Sequence, residues 1–131
     1  MIEYGWFLTH SKWQLPWKIN CDSFTDEDWE GIAKILQWKF AFGSVYGIPR
    51  GGTKLAEACQ KHITVGYPPL IVDDVLTTGA SMREAKEKLR VETGFDPIGF
   101  VVFNRHIDCP GWIWSLFNVN QWSQSRATGL G

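Results

Sequence analysis

Residues 70–81 read Leu70-Ile71-Val72-Asp73-Asp74-Val75-Leu76-Thr77-Thr78-Gly79-Ala80-Ser81. An apolar run ends in two adjacent carboxylates. A turn of hydroxyls and glycine follows, and then a helical pattern begins. A loop placed between a buried strand and a helix start presents backbone N–H groups that lack intrahelical partners, and the helix dipole adds partial positive charge. Thr77, Thr78 and Ser81 add hydroxyls, and Gly79 lets a ligand approach the backbone closely. With Ala80, these residues predict a phosphate cradle. The carboxylates narrow the ligand. Two acids just before a phosphate suit hydroxyls next to a phosphate ester, as in a ribose 5-phosphate. Asp73 and Asp74 can also hold Mg2+, directly or through water.

Competing strand-end motifs fit worse. A Walker-type loop needs Gly-Lys-Ser/Thr, which is absent, and so is the dinucleotide pattern Gly-x-Gly-x-x-Gly. A phosphatase-type Asp-x-Asp would need an acid where Val75 stands.

The same alternation continues outward. Thr25 and Asp28 mark a helix start, with Asp26, Glu27 and Asp28 in its first turn. Trp29, Ile32, Ala33 and Leu36 then repeat on one helical face, to about Trp38. Gly43 to Ile48 reads as a short strand ending in the turn Pro49-Arg50-Gly51-Gly52, and Lys54 to Lys61 as a helix. Pro68 and Pro69 precede a short buried strand, Leu70 to Val72. Gly79 to about Val91 is the next helix, stopped by Gly94. Ile98 to Phe103 is an apolar strand of the kind buried on both faces, and Trp112 to Val119 is a further strand candidate. Buried strands alternating with helices predict a three-layer, Rossmann-like α/β fold with a parallel sheet. Ligands in such sheets sit outside the carboxyl ends of the strands, where both glycine turns and the Asp pair fall.

The chain has 131 residues, which fits one domain, 1–131, and its formal net charge is −1. That charge does not suggest nucleic acid as a partner. No apolar run approaches a membrane span, and no signal peptide is apparent at the start. Cys21, Cys59 and Cys109 are odd in number and unpaired in spacing, which reads as reduced thiols in a cytoplasmic protein. Most of the eight tryptophans are expected to be core or interface anchors.

Residues 70–81 resemble the phosphoribosyl pyrophosphate (PRPP) signature of type I phosphoribosyltransferases. The resemblance implies that Asp73 and Asp74 contact the ribose hydroxyls and that Thr77, Thr78, Gly79, Ala80 and Ser81 hold the 5-phosphate. Pro49-Arg50-Gly51-Gly52, one helix earlier, is similar to the family's pyrophosphate loop, with Arg50 offering a fork of donors. Gly5-Trp6-Phe7-Leu8 to Lys12, then Trp17-Lys18-Ile19, resembles the amino-terminal hood of the orotate branch. Within residues 1–22, Trp6-Phe7-Leu8 and Trp17-Lys18-Ile19 are weak strand candidates. Val101-Val102-Phe103-Asn104-Arg105 resembles that branch's strand ending in Asp-Arg, with Asn104 where an Asp is usual. The match makes Arg105, and more loosely Lys12, base-pocket candidates. Pro-Arg-Gly-Gly looks more like the purine branch, so the base stays open.

Only 17 residues, Thr53 to Pro69, separate the pyrophosphate loop from the strand at Leu70. The family usually places another strand and a long mobile loop there, which closes over PRPP. Lys54, Lys61 and His62 are the basic residues of this gap. The resemblance implies a Mg2+-dependent, homodimeric enzyme taking PRPP and a nucleobase, orotate first. The missing lid keeps open a second expectation, a relative that binds PRPP or a nucleotide without turning it over. His10 and His106 show no metal-ligand spacing.

Overall fold

The computed structural model describes residues 23–119. The hood-like segment 1–22, with its strand candidates, His10, Lys12 and Cys21, lies outside them. Helix α1 (Asp26–Lys39) begins at a complete capping box. Asp28 N–H donates to Thr25 Oγ1 at 3.1 Å, and Thr25 N–H donates to Asp28 Oδ2 at 2.9 Å. Two orphan donors of the first turn are thereby satisfied. Its buried face is Trp29, Ile32, Ala33 and Leu36.

Strand β1 (Ser44–Gly47) leads through the Pro49–Gly52 turn into α2 (Thr53–Cys59), extended by a 3-10 turn (Gln60–His62). β2 (Pro69–Leu76), α3 (Ala80–Thr93), β3 (Ile98–Asn104) and β4 (Ile113–Asn118) follow. The four strands form one parallel sheet in the order β1-β2-β3-β4. α3 stops at Gly94, whose φ of 77° is left-handed, and Gly94 N–H donates to Arg90 O at 2.9 Å. Glycine is the residue that enters that conformation without a Cβ penalty.

Alternation along the strands builds two apolar layers. Leu70, Val72, Phe100 and Val102 face α1 and α2, packing with Trp29, Leu36, Phe42 and Leu55. Ile71, Val101 and Ile113 face α3, packing with Met82 and Ala85. The sheet with helices on both faces is the three-layer α/β architecture expected. β3 and β4 are joined by residues 105–112, which contain no helix. That connection covers the α3 face itself. Trp112 packs over Gly99, where a Cβ would strike its ring, and Lys86 Nζ lies 4.7 Å from the Trp112 ring centre.

One expectation needs correcting. β2 does not end at Val72 but runs through both acids to Leu76, paired with β3 at Asp73–Val101 and Val75–Phe103. The ladder with β3, which continues past the end of the pairing with β1, outweighs the poor strand propensity of Asp. Among the described residues no helix is long and apolar enough to cross a membrane. Cys59 and Cys109 are free thiols. Burial, with the Glu30 charge, pushes Cys59 up to about 12.

Candidate functional site

The parallel sheet brings both glycine turns to one edge, because β1 and β2 end side by side. Gly47 is opposite Val72, and Ile48 N–H donates to Val72 O at 2.9 Å. This seats the Pro49–Gly52 turn beside the last residues of β2. The peptide bond between Pro49 and Arg50 is cis. Two glycines make the fit possible. A Cβ on Gly52 would overlap the Val72 carbonyl, and a Cβ on Gly51 would overlap the Asp74 carboxylate. Asp74 therefore lies against the backbone of the Pro-Arg-Gly-Gly turn. The Arg50 side chain is exposed at the rim.

The strand pairing with β1 ends at Val72, and beyond it the carboxyls cap the backbone. Asp74 N–H donates to Asp73 Oδ1 at 2.8 Å, and Val75 N–H donates to Asp74 Oδ1 at 2.7 Å. Burial drives the Asp73 carboxyl from its ordinary 3.8 up to about 7, and its hydrogen bond with the Asp74 carboxyl adds to the rise. A half-buried carboxyl pair of this kind disfavours double ionisation. Among the described residues no three His, Cys, Asp or Glu side chains gather as a metal cage. The donor set fits Mg2+ nonetheless, since that ion keeps waters and takes one or two carboxylates plus substrate phosphates.

Next to the acids, the Thr77–Ser81 loop is exposed except for Gly79, which has φ 82°. Thr78 Oγ1 accepts from Ala80 N–H at 3.3 Å. One N–H of the expected cradle is thus already partnered, and a ligand would compete for it. Arg83 Nη1 donates to Thr78 O at 3.3 Å, a contact the reading of residues 70–81 missed. The signal was available, since side chains in a first helical turn point back toward the loop before it.

At the end of β3, Asn104 is buried. Its Nδ2 donates to Asn118 Oδ1 at 3.0 Å, and its Oδ1 accepts from His106 N–H at 2.8 Å. Asn104 thus ties β3 to β4 and starts the 105–112 connection. Arg105, on the same edge, donates its backbone N–H to Leu76 O at 2.9 Å. Burial lowers its guanidinium from the ordinary value, and it remains cationic. Lys12 lies outside the described residues.

The basic residues of the gap divide. Lys61 pairs with Glu30 of α1, and His62 Nε2 lies 3.8 Å from the same carboxylate. Both lie against α1, Lys61 as an ion pair and His62 without a hydrogen bond from its Nε2. Lys54, in the first turn of α2, is exposed. Beside the two loops a cleft of about 440 Å³ opens between β1 and α3, bounded by Tyr46, Pro49, Ser81 and Leu89.

Among solved structures, the fold is similar to orotate phosphoribosyltransferase from Aeropyrum pernix, at 17% identity over 79% of this chain and 78% of that chain, with a TM-score of 0.53. That likeness supports a phosphoribosyltransferase-like fold. No protein-family profile matches the chain, and no curated protein sequence matches it.

Proposed function

We propose that this chain is a phosphoribosyltransferase of the orotate type, which transfers 5-phosphoribosyl from PRPP to a nucleobase and releases pyrophosphate. The observation that carries the reading is the meeting of three features at one sheet edge. Asp74 of the acid pair lies against Gly51 of one glycine turn, and β2 ends two residues after the pair, at the start of the hydroxyl loop of the other.

In this reading Thr77, Thr78, Gly79, Ala80 and Ser81 hold the 5-phosphate. Asp73 and Asp74 accept hydrogen bonds from the ribose hydroxyls and favour the cationic ring. A base ring nitrogen forms its bond to C1 and gives up its proton to solvent as the C1–oxygen bond to pyrophosphate breaks, and the electron pair leaves with that oxygen. Arg50 and the N–H groups of Gly51 and Gly52 stabilise the charge developing there. Asp73 and Asp74 would hold Mg2+, which neutralises phosphate charge when bound. By the same resemblance Arg105, at the end of β3, would hold the base. No covalent nucleophile is needed.

A second reading, binding without turnover, has its own support. The gap between β1 and β2 holds one short helix, and of its three basic residues Lys61 pairs with Glu30 while His62 lies beside the same carboxylate. Lys54 is then the gap's remaining candidate cation for pyrophosphate.

Pyrophosphate release from PRPP and Mg2+ should be measured with orotate, uracil, xanthine, guanine, hypoxanthine and adenine. Release with one base names the acceptor. No release with any of them, alongside calorimetric PRPP binding, selects the second reading. The double variant Asp73→Asn with Asp74→Asn should abolish PRPP–Mg2+ binding while keeping the far-UV spectrum. Affinity equal to the parent's would sink the site assignment.

A further inference from the structure

We propose that Arg83 belongs to the phosphate subsite and supplies its full positive charge. The inference rests on the PRPP reading of the Thr77–Ser81 loop and adds a residue from outside that loop. α3 begins at Ala80, so Arg83 stands in the first turn, four residues after Gly79. Helical side chains lean toward the amino terminus, and Arg83 does so. Its Nη1 donates to Thr78 O at 3.3 Å and lies 3.4 Å from the position of a Cβ on Gly79. The guanidinium therefore rests on the loop backbone. It carries five donors, one of which is used there. It makes no ion pair with another described residue.

A cation at this position is electrostatically misplaced in the ligand-free protein. The first turn of a helix already carries the positive end of the dipole. α1 answers that with Asp26, Glu27 and Asp28, whereas the first turn of α3 holds no acid. A phosphate dianion in the loop would satisfy the helix end and Arg83 together. The loop's own donors are all neutral, and one of them, Ala80 N–H, is occupied by Thr78 Oγ1.

Calorimetric titration with ribose 5-phosphate tests this on the full chain, its Arg83→Gln and Arg83→Lys variants, and the Asp73→Asn/Asp74→Asn variant. Arg83→Gln should weaken binding about 10- to 100-fold, the range for loss of one charge-assisted contact. Arg83→Lys should recover part of that loss. Without ligand, Arg83→Gln should unfold at the parent's temperature or above, because a misplaced charge has gone. An arginine that only props the loop would lower that temperature and leave affinity alone. If the parent binds, the Asp variant does not, and Arg83→Gln binds like the parent, the Arg83 assignment is overturned and the PRPP reading stands. If the parent itself fails to bind ribose 5-phosphate, both fall.

Discussion

Burial, reinforced by the hydrogen bond to the Asp74 carboxyl, pushes Asp73 up to about 7. The fold therefore prefers the neutral carboxyl, while the unfolded chain loses that proton near the ordinary 3.8. The associated stability is present in full below about pH 4 and is lost as pH rises through about 7. Asp73→Asn removes the titration. It should stabilise the protein at pH 8, by roughly 1–3 kcal/mol once partial solvent screening is allowed for. The gain should be smaller at pH 5. Urea unfolding at both pH values checks this, and an equal gain at both would refute it. A bound cation favours the ionised pair, so PRPP–Mg2+ affinity should rise with pH across the same window.

Two neighbouring glycines should separate folding from binding. The neighbour of a Gly52 Cβ is the fixed Val72 carbonyl, whereas the neighbour of a Gly51 Cβ is the Asp74 side chain. Gly52→Ala should cost about 1–3 kcal/mol through backbone displacement. Gly51→Ala should cost less stability, because Asp74 can rotate aside, but should weaken PRPP–Mg2+ binding. Thermal unfolding and calorimetry on the two variants distinguish the effects. The reverse ranking in stability would contradict the packing described.

At the scale of elements, the helices were legible because their signals are local. The Thr25–Asp28 box and the Gly94 stop each act within a few residues, and both operate as expected. Thr25→Ala should destabilise the protein by about 1 kcal/mol, with α1 fraying first. Amide exchange of Asp28 and Trp29 would report it, and unchanged protection would argue against the cap. The length of β2 was not legible. Asp is a poor strand former, and nothing local reveals that Val101 and Phe103 will pair alongside to carry the strand past two acids.

At the scale of the molecule, the sheet order places the candidate site. β1 and β2 must be neighbours for Gly51 to meet Asp74. β3 and β4 must be neighbours for Asn104 to reach Asn118. With one short helix between β1 and β2, β1 remains the edge of the described sheet and the β1–α3 cleft is open beside both loops.

Within residues 23–119 the sequence by itself determined the order and type of the main helices and strands, the buried face of α1, and the two loops that fall at the carboxyl edge. Those follow from periodicity, caps and turn residues, whose energies are set over a few positions of chain. Tertiary structure alone decided that Asp74 packs under Gly51, that Asn104 is a buried tie between strands, and that Lys61 and His62 face Glu30. Each of these contacts joins residues distant in sequence. Their energies depend on which strands and helices become neighbours and in what register, and no local pattern encodes that.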